Sequence, residues 1–311
     1  PDKKIEIYNT AVTAINSNVI VPIVQDCVPL QPDLFIIYMG NNEVIGPYGL
    51  SSALTPFFSN LNVIRAQVWL SKTKIGQLIR ENSGKRTIDQ QEWQGMELFV
   101  KNKVRYGSPD LEKIYNHFEG NLSTIIQEAT GAGAKVIVST IITNERDCAP
   151  FFSEHANTNA SALAQWQALF NQAAALDSAG NYTQAIARYE QALALDEQHA
   201  ETNYRLAKCH LANNQPDKAK TYFTKARNYD ALRFRADTRI NNIIKDVAKQ
   251  QQVTLVDADS LSRIASEFNI PGNDLLHEHV HMNFKGNYVL ASGVYLPTVK
   301  ELGLNTALPA P

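Results

Sequence analysis

Short apolar runs alternate along the chain with segments in which apolar residues recur at helical spacing. The apolar runs are Ile5–Tyr8, Leu34–Met39, Lys135–Thr140 and Val253–Asp257. Each is apolar over most of its length, which is typical of strands buried on both faces of a parallel sheet. The helical pattern covers residues 17–29, 60–82, 92–104, 109–130, 236–251 and 288–302. This alternation predicts an α/β fold with a doubly wound parallel sheet.

The stretch 160–233 has a different character, because it contains no strand pattern and is rich in Ala, Gln, Asn and Tyr. An internal repeat lies within it: Ala185 and Tyr189 recur as Ala219 and Phe223, at an offset of 34 residues. This is the period of the tetratricopeptide repeat, in which small residues mark the close contact of two helices. The sequence therefore predicts an all-helical insertion, which either binds a peptide or serves as a spacer or lid.

The two patterns together divide the chain into three parts. Residues 1–159 and 234–311 are predicted to form the two halves of the α/β domain, and residues 160–233 the helical insertion between them. The stretch 44–58 is rich in Pro, Gly and Ser. It is predicted to be a long loop at the carboxyl end of a strand, where ligands bind in such sheets.

Composition narrows the classes of function. With 29 Lys and Arg against 31 Asp and Glu, the net charge is -2, so nucleic acid is not expected as a partner. No apolar run approaches the ~20 residues that a membrane helix needs. The three cysteines are too few and too scattered for a disulfide framework or a zinc site.

The densest cluster of chemically active side chains lies near the C-terminus, where His277, His279 and His281 alternate. Glu278 precedes His281 by three positions, a spacing at which a carboxylate can orient one imidazole nitrogen while the other faces a substrate. Two other interpretations stay open. The segment could be a capping loop with solvated histidines, or a zinc site, since alternate residues of a strand share a face.

Two further segments follow predicted strands. Gly40, Asn41 and Asn42 end the run Leu34–Met39, and an asparagine amide at that point can donate to a developing oxyanion. An ordinary polar turn explains the same residues. The stretch 9–17 is a turn of small residues before a helix, and the backbone N–H groups at a helix start favour anions.

Taken together, these segments resemble the SGNH (GDSL-like) hydrolase superfamily of esterases and lipases, and in particular its bacterial members with a tetratricopeptide insertion. The family's strand ending in Gly-x-Asn is matched by Gly40–Asn42, and its C-terminal Asp-x-x-His by Glu278–His281. The resemblance covers residues 1–155 and 236–305. It implies a flavodoxin-like three-layer fold and a serine-dependent ester hydrolase that needs no metal or organic cofactor.

The resemblance also implies roles for individual residues. His281 would be the general base and Glu278 would orient it, in place of the family's aspartate. The side-chain amide of Asn42 and the backbone N–H of Ala14 would hold the oxyanion, next to the turn residue Gly40. Ala14 stands where the family has a glycine, and alanine crowds the backbone if φ is positive there.

Substrate contacts are expected from Asn41, His279 and Asn283, which flank these positions. They are also expected from Arg146 and Asp147, which follow the 135–142 strand on the side that faces the site. A structural role, such as capping the helix that enters the insertion, explains Arg146 and Asp147 equally well. The implied substrate is an O-acyl ester, such as an acylated saccharide or lipid, and the implied location is the bacterial cell envelope or periplasm.

The family's nucleophile, a serine in a Gly-Asp-Ser-like turn, has no match in residues 1–311. We expect the serine upstream in the sequence, on a first strand. In the sheet, this strand would lie between the strands predicted at Ile5–Tyr8 and Leu34–Met39. The same triad would also serve O-acyl transfer to a polysaccharide. A chain that has lost its nucleophile would instead be a non-catalytic scaffold, which binds a protein partner through residues 160–233.

Overall fold

The computed structural model describes residues 4–52, 57–82, 103–156 and 159–304. Within them, one parallel sheet has the strand order β1-β2-β3. The strands are β1 (Leu34–Tyr38), β2 (Lys135–Ser139) and β3 (Thr254–Val256). The protein is thus of mixed α/β type. No helix in the described ranges is both long and apolar enough to cross a membrane.

Helices occupy most of the remaining described chain. They are α1 (Ser17–Cys27), α2 (Leu61–Lys72), α3 (Lys74–Asn82), α4 (Pro109–Gly131), α5 (Ala160–Ser178), α6 (Tyr182–Leu195), α7 (Ala200–Ala212), α8 (Pro216–Tyr229), α9 (Thr238–Gln250), α10 (Ala258–Ala265) and α11 (Phe284–Glu301). Short 3₁₀ turns lie at Val28–Leu30 and Glu267–Asn269.

Two of the predicted helices need comment. The prediction of one helix over 60–82 is wrong in detail, because Thr73 adopts an extended conformation with ψ 152 and separates α2 from α3. Most of the helix predicted over 92–104 lies outside the described residues.

Helices lie against both faces of the sheet, as the apolar runs predict. Val136 and Val138 of β2 point into one cluster, which also contains residues of α1, α4 and α9. Ile137 points the other way, into a cluster with residues of α10 and α11. Alternate residues of a strand face opposite sides, so a fully apolar strand requires cover on both.

The predicted strand at Ile5–Tyr8 is wrong. Residues 4–8 have no regular structure, and Ile7 is 87 % exposed. Within the described chain, β1 has a neighbour only on its β2 side, and its Ile36 is 52 % exposed. An isolated extended segment has no partner for its backbone hydrogen bonds, so an apolar sequence alone does not make it a strand. The strand expected between these two segments stays a prediction.

Helices α5 to α8 form two antiparallel pairs, α5 with α6 and α7 with α8, and α6 also packs on α7. Ala185 and Tyr189 of α6 are fully buried, as are Ala219 and Phe223 of α8. The small alanine side chains let neighbouring helices approach closely, and the aromatic ring one turn later fills the space beside them. The repeat read from the sequence therefore corresponds to repeated packing. The boundaries of the three predicted parts stay a prediction.

The two ends of this helical unit lie side by side. The carboxylate of Asp230, after α8, accepts the backbone N–H groups of Phe151 (2.9 Å) and Phe152 (3.1 Å), which precede α5. The N–H of Ala231 donates to the carbonyl of Phe152 at 2.9 Å. The chain thus leaves the sheet after β2 and returns at the same place, before α9 and β3.

Candidate functional site

The Glu278–His281 motif lies in a short hairpin. Leu276 and Met282 form an isolated antiparallel bridge, and the N–H of His277 donates to the carbonyl of His281 at 2.8 Å. Leu275 and Leu276 are buried beneath it in the sheet's second apolar cluster. The hairpin therefore holds the motif against the α/β core.

Within this hairpin, the carboxylate of Glu278 fixes one nitrogen of the His281 ring. Its Oε1 lies 2.6 Å from His281 Nδ1 and also accepts the backbone N–H of His281 at 2.6 Å. The side chain of His281 is 78 % exposed, against 40 % for Glu278. Because Oε1 can only accept, Nδ1 carries the proton, and Nε2 is the basic nitrogen available to a ligand. This is the geometry of an oriented general base.

His279 occupies a different environment from His281. Its Nδ1 contacts Oε2 of Glu278, and its ring meets the rings of Phe151 and Phe234 edge-on, with centroids 5.2 and 6.0 Å away. Burial, the Arg235 guanidinium and the neighbouring His281 lower the pKa of His279 to about 4. His279 is therefore neutral at pH 7 and is fixed by its aromatic neighbours.

The zinc interpretation receives no support from the described part of the chain. There, no three His, Cys, Asp or Glu side chains are grouped so that they could hold a metal ion.

The loop after β1 is tightly built. Gly40 has φ +153, and a Cβ atom there would lie 2.8 Å from Cγ2 of Ile240 on α9, so the position demands glycine. The side chain of Asn41 accepts the N–H of Ala236 at 3.0 Å. Asn42 donates its side-chain amide to the carbonyl of Ile15 at 3.1 Å. That bond occupies one of the two amide hydrogens of Asn42. The oxyanion role of Asn42 stays a prediction.

The segment before α1 is bound to this loop. Ala14 has φ +59, so the strain expected for alanine at this position is present. Ser17 donates to the carboxylate of Glu43 through its backbone N–H (2.9 Å) and its hydroxyl (2.6 Å). Burial raises the pKa of Glu43 to about 7, and these two hydrogen bonds only partly oppose the shift. Ser17 is itself fully buried, which leaves its hydroxyl no access to a substrate.

Three of the predicted substrate contacts are engaged within the protein. Arg146 is only 7 % exposed and forms ion pairs with Asp147, Glu267 and Asp274. Asn283 is the N-cap of α11, because its side chain accepts the N–H of Gly286. The substrate-binding roles of these residues stay predictions.

The two halves of the candidate site meet at the segment before α9. Ala236 is bonded to Asn41 on one side, and Arg235 donates to the carbonyl of Asn144 at 2.8 Å on the other. Asn144 in turn holds the hairpin, since its N–H donates to the carbonyl of His279 at 3.0 Å. The sequence analysis assigned no role to Asn144, Glu145 or Arg235, although the segment 144–151 is among the stretches that carry the family resemblance. For Arg235 the available signal was its position just before a helix.

The comparisons with known proteins bear on the helical unit. A family model described as tetratricopeptide repeat matches residues 178–236, which contain α6, α7 and α8. Tetratricopeptide repeats build extended binding surfaces for proteins, so the match indicates a protein-interaction role. No curated protein and no solved structure matches the chain.

Proposed function

We propose that the chain binds a protein partner through its helical unit, residues 160–233. The match to the tetratricopeptide repeat carries this proposal. The inner face of α7 is partly used within the protein, where Tyr204 donates to the carbonyl of Arg146 at 3.1 Å and the N–H of Glu201 to Ser153 at 2.7 Å. Exposed side chains remain on α5, α6 and α8, and those of α5 lie next to the matched repeat.

The chemistry of α5 restricts the partner. Its exposed positions include Gln165, Gln167 and Gln172, and Asp177 is the only ionisable residue in 160–178. A neutral surface of amides and small residues binds through hydrogen bonds and close contact, with little electrostatic steering. We expect the affinity for the partner to change little with salt concentration.

A photo-crosslinking amino acid placed at Gln172 tests this proposal. We expect it to capture one protein, identified by mass spectrometry, and the same protein should bind the purified chain. Lys249, an exposed residue of α9, is the matched control position. Equal capture from both positions would contradict binding by the helical unit.

A second proposed function is acyl transfer from an ester, with His281 as general base and water or a saccharide hydroxyl as acceptor. The 2.6 Å contact between His281 Nδ1 and Glu278 supports it. In this function, Nε2 takes the proton of a serine hydroxyl and returns it to the leaving alcohol, while Glu278 stabilises the imidazolium. The SGNH-type three-layer fold, with Asn42 and Ala14 at the oxyanion, belongs to this proposal.

Fluorophosphonate labelling of the natural protein, followed by peptide mapping, tests for the serine. We expect one labelled serine, and His281→Ala should lower labelling and the hydrolysis of short acyl esters by about 10²–10⁴-fold. His277→Ala removes an exposed histidine of the same hairpin and should leave both unchanged. Undiminished labelling in His281→Ala would exclude His281 as the base. Added saccharide separates transfer from hydrolysis through acylated product.

A further inference from the structure

Asn144 is fully buried and binds the hairpin that carries Glu278 and His281. Its side-chain amide donates to the carbonyl of Glu278 at 3.0 Å and to Oδ1 of Asn273 at 2.9 Å. Its backbone N–H donates to the carbonyl of His279 at 3.0 Å. A single residue in the segment after β2 thus fixes the two consecutive backbone carbonyls of Glu278 and His279.

The remaining polar groups of Asn144 are also paired. Its Oδ1 accepts the N–H of Asp147 at 2.9 Å, and its carbonyl accepts from Arg235 at 2.8 Å. A buried side chain with every group bonded has one orientation, because any other leaves unpaired polar atoms. Asn144 is therefore a rigid support.

The next residue, Glu145, binds the helical unit. Its side chain is fully buried and lies 2.6 Å from Arg227 and 2.9 Å from the hydroxyl of Thr224, both on α8. Arg263 of α10 completes the ion pairs at 2.8 Å. Charges buried in this way hold their geometry strictly, because a displaced partner leaves an uncompensated charge.

Asn144 and Glu145 are thus consecutive residues that contact two distant parts of the protein. We propose that Asn144 is a positioning residue for the Glu278–His281 pair, and that Glu145 couples its position to α8 of the helical unit. The coupling gives α8 of the helical unit a physical connection to the proposed general base. The inference deepens the acyl-transfer proposal. Only the role of His281 as general base rests on that proposal, whereas the positioning and the coupling do not.

The ring tautomer of His281 tests the positioning role. Nitrogen-15 shifts of the His281 ring, at a pH of about 9 where an ordinary imidazole is neutral, report the ratio of the Nδ1–H to the Nε2–H form. We expect Asn144→Ala to lower this ratio at least about twofold, because the Glu278 carboxylate is no longer held against Nδ1. Asn203→Ala is the matched control, since Asn203 is equally buried and donates to two backbone carbonyls within the helical unit.

A milder substitution tests the coupling through Glu145. Thr224→Val removes one hydrogen bond to the side chain of Glu145. Thr221→Val removes the same hydroxyl from an exposed position of the same helix, where it donates to the carbonyl of Asp217. We expect Thr224→Val to shift the His281 tautomer ratio in the same direction as Asn144→Ala and Thr221→Val to leave it unchanged. This variant keeps the test open if Asn144→Ala does not fold.

An unchanged ratio in folded Asn144→Ala would overturn the positioning role. An unchanged ratio in Thr224→Val, or an equal change in Thr221→Val, would overturn the coupling. The tautomer ratio is measured without turnover. The positioning and the coupling can therefore be tested even in a protein that has no esterase activity. Failure of the acyl-transfer proposal is seen separately, in the serine labelling.

Discussion

The loops after β1 and β2 carry the same dipeptide in different surroundings. Asn42-Glu43 follows β1 and Asn144-Glu145 follows β2, and both glutamates are buried, at 4 % and 2 % exposure. Both asparagines donate to a backbone carbonyl of a neighbouring segment. The loops differ in what faces the carboxylate: Ser17 donates to Glu43, whereas Arg227 and Arg263 form ion pairs with Glu145.

This difference decides the charge of each glutamate. Burial raises the pKa of Glu43 to about 7, and the two hydrogen bonds from Ser17 oppose this shift only in part. Burial acts on Glu145 in the same direction, but the guanidinium groups of Arg227 and Arg263 outweigh it and lower the pKa to about 2. Burial alone therefore does not fix the ionisation of a side chain, and the neighbouring charge sets the direction of the shift.

The largest effect on the difference between the two loops is expected when Glu145 loses a counter-ion. We expect Arg227→Met to lower the free energy of unfolding by about 3–5 kcal/mol, because it leaves Glu145 buried with one partner fewer. Urea unfolding at neutral pH measures the loss. Arg205→Met, which breaks a half-exposed pair with Glu201 on α7, is the matched control, with an expected loss below about 1 kcal/mol. Equal losses would show that the buried pair has no special importance.

Acid should weaken the β2 loop next. The folded-state pKa of Glu145 lies below its unfolded value, so its stabilising contribution is full above pH 4.5 and is lost as the pH falls toward 2. We expect this loss to reach about 3 kcal/mol, at about 1.4 kcal/mol for each pH unit of difference. Thermal unfolding of Glu145→Gln between these pH values should lack this part of the pH dependence. If Glu145→Gln loses stability at low pH as much as the unchanged protein does, other groups cause the loss.

The loop after β1 should respond to acid in the opposite direction, and its effect on the free energy of unfolding should be smaller. The folded-state pKa of Glu43 is raised, so the protein gains stability as the pH falls from about 7 to 4.5, and the ionised carboxylate is unfavourable above that range. We expect Glu43→Gln to raise the free energy of unfolding by about 1–2 kcal/mol at a pH of about 8, and less at a pH of about 5. A destabilised variant at the higher pH would mean that the charge itself is needed to hold Ser17.

Local pattern explains which parts of the fold could be predicted. The run Leu34–Met39 is apolar throughout, and a strand covered on both faces leaves that signal in its own sequence. The run Ile5–Tyr8 has a similar pattern but forms no strand, because pairing depends on a neighbour that composition does not reveal. The helical repeat could be read because each Ala or aromatic position packs against neighbours close in sequence, and the family match confirms the repeat.

The candidate site could be predicted only where its residues are close in sequence. A spacing of three positions was enough to suggest the contact between Glu278 and His281, and the structure has it at 2.6 Å. The support from Asn144, and the pairing of Glu145 with Arg227, join residues far apart in the chain. No periodicity marks such contacts, so only the folded arrangement reveals them.

The hydrogen bonds of Asp230, which hold the two ends of the helical unit side by side, have a consequence for the evolution of the gene. A segment whose ends meet can be gained, lost or exchanged in a gene without displacing the strands on either side. Lengthening such a loop also costs little conformational entropy, about 0.6 kcal/mol for each doubling. Evolution can therefore change the helical unit of this protein in one step while its sheet stays as it is.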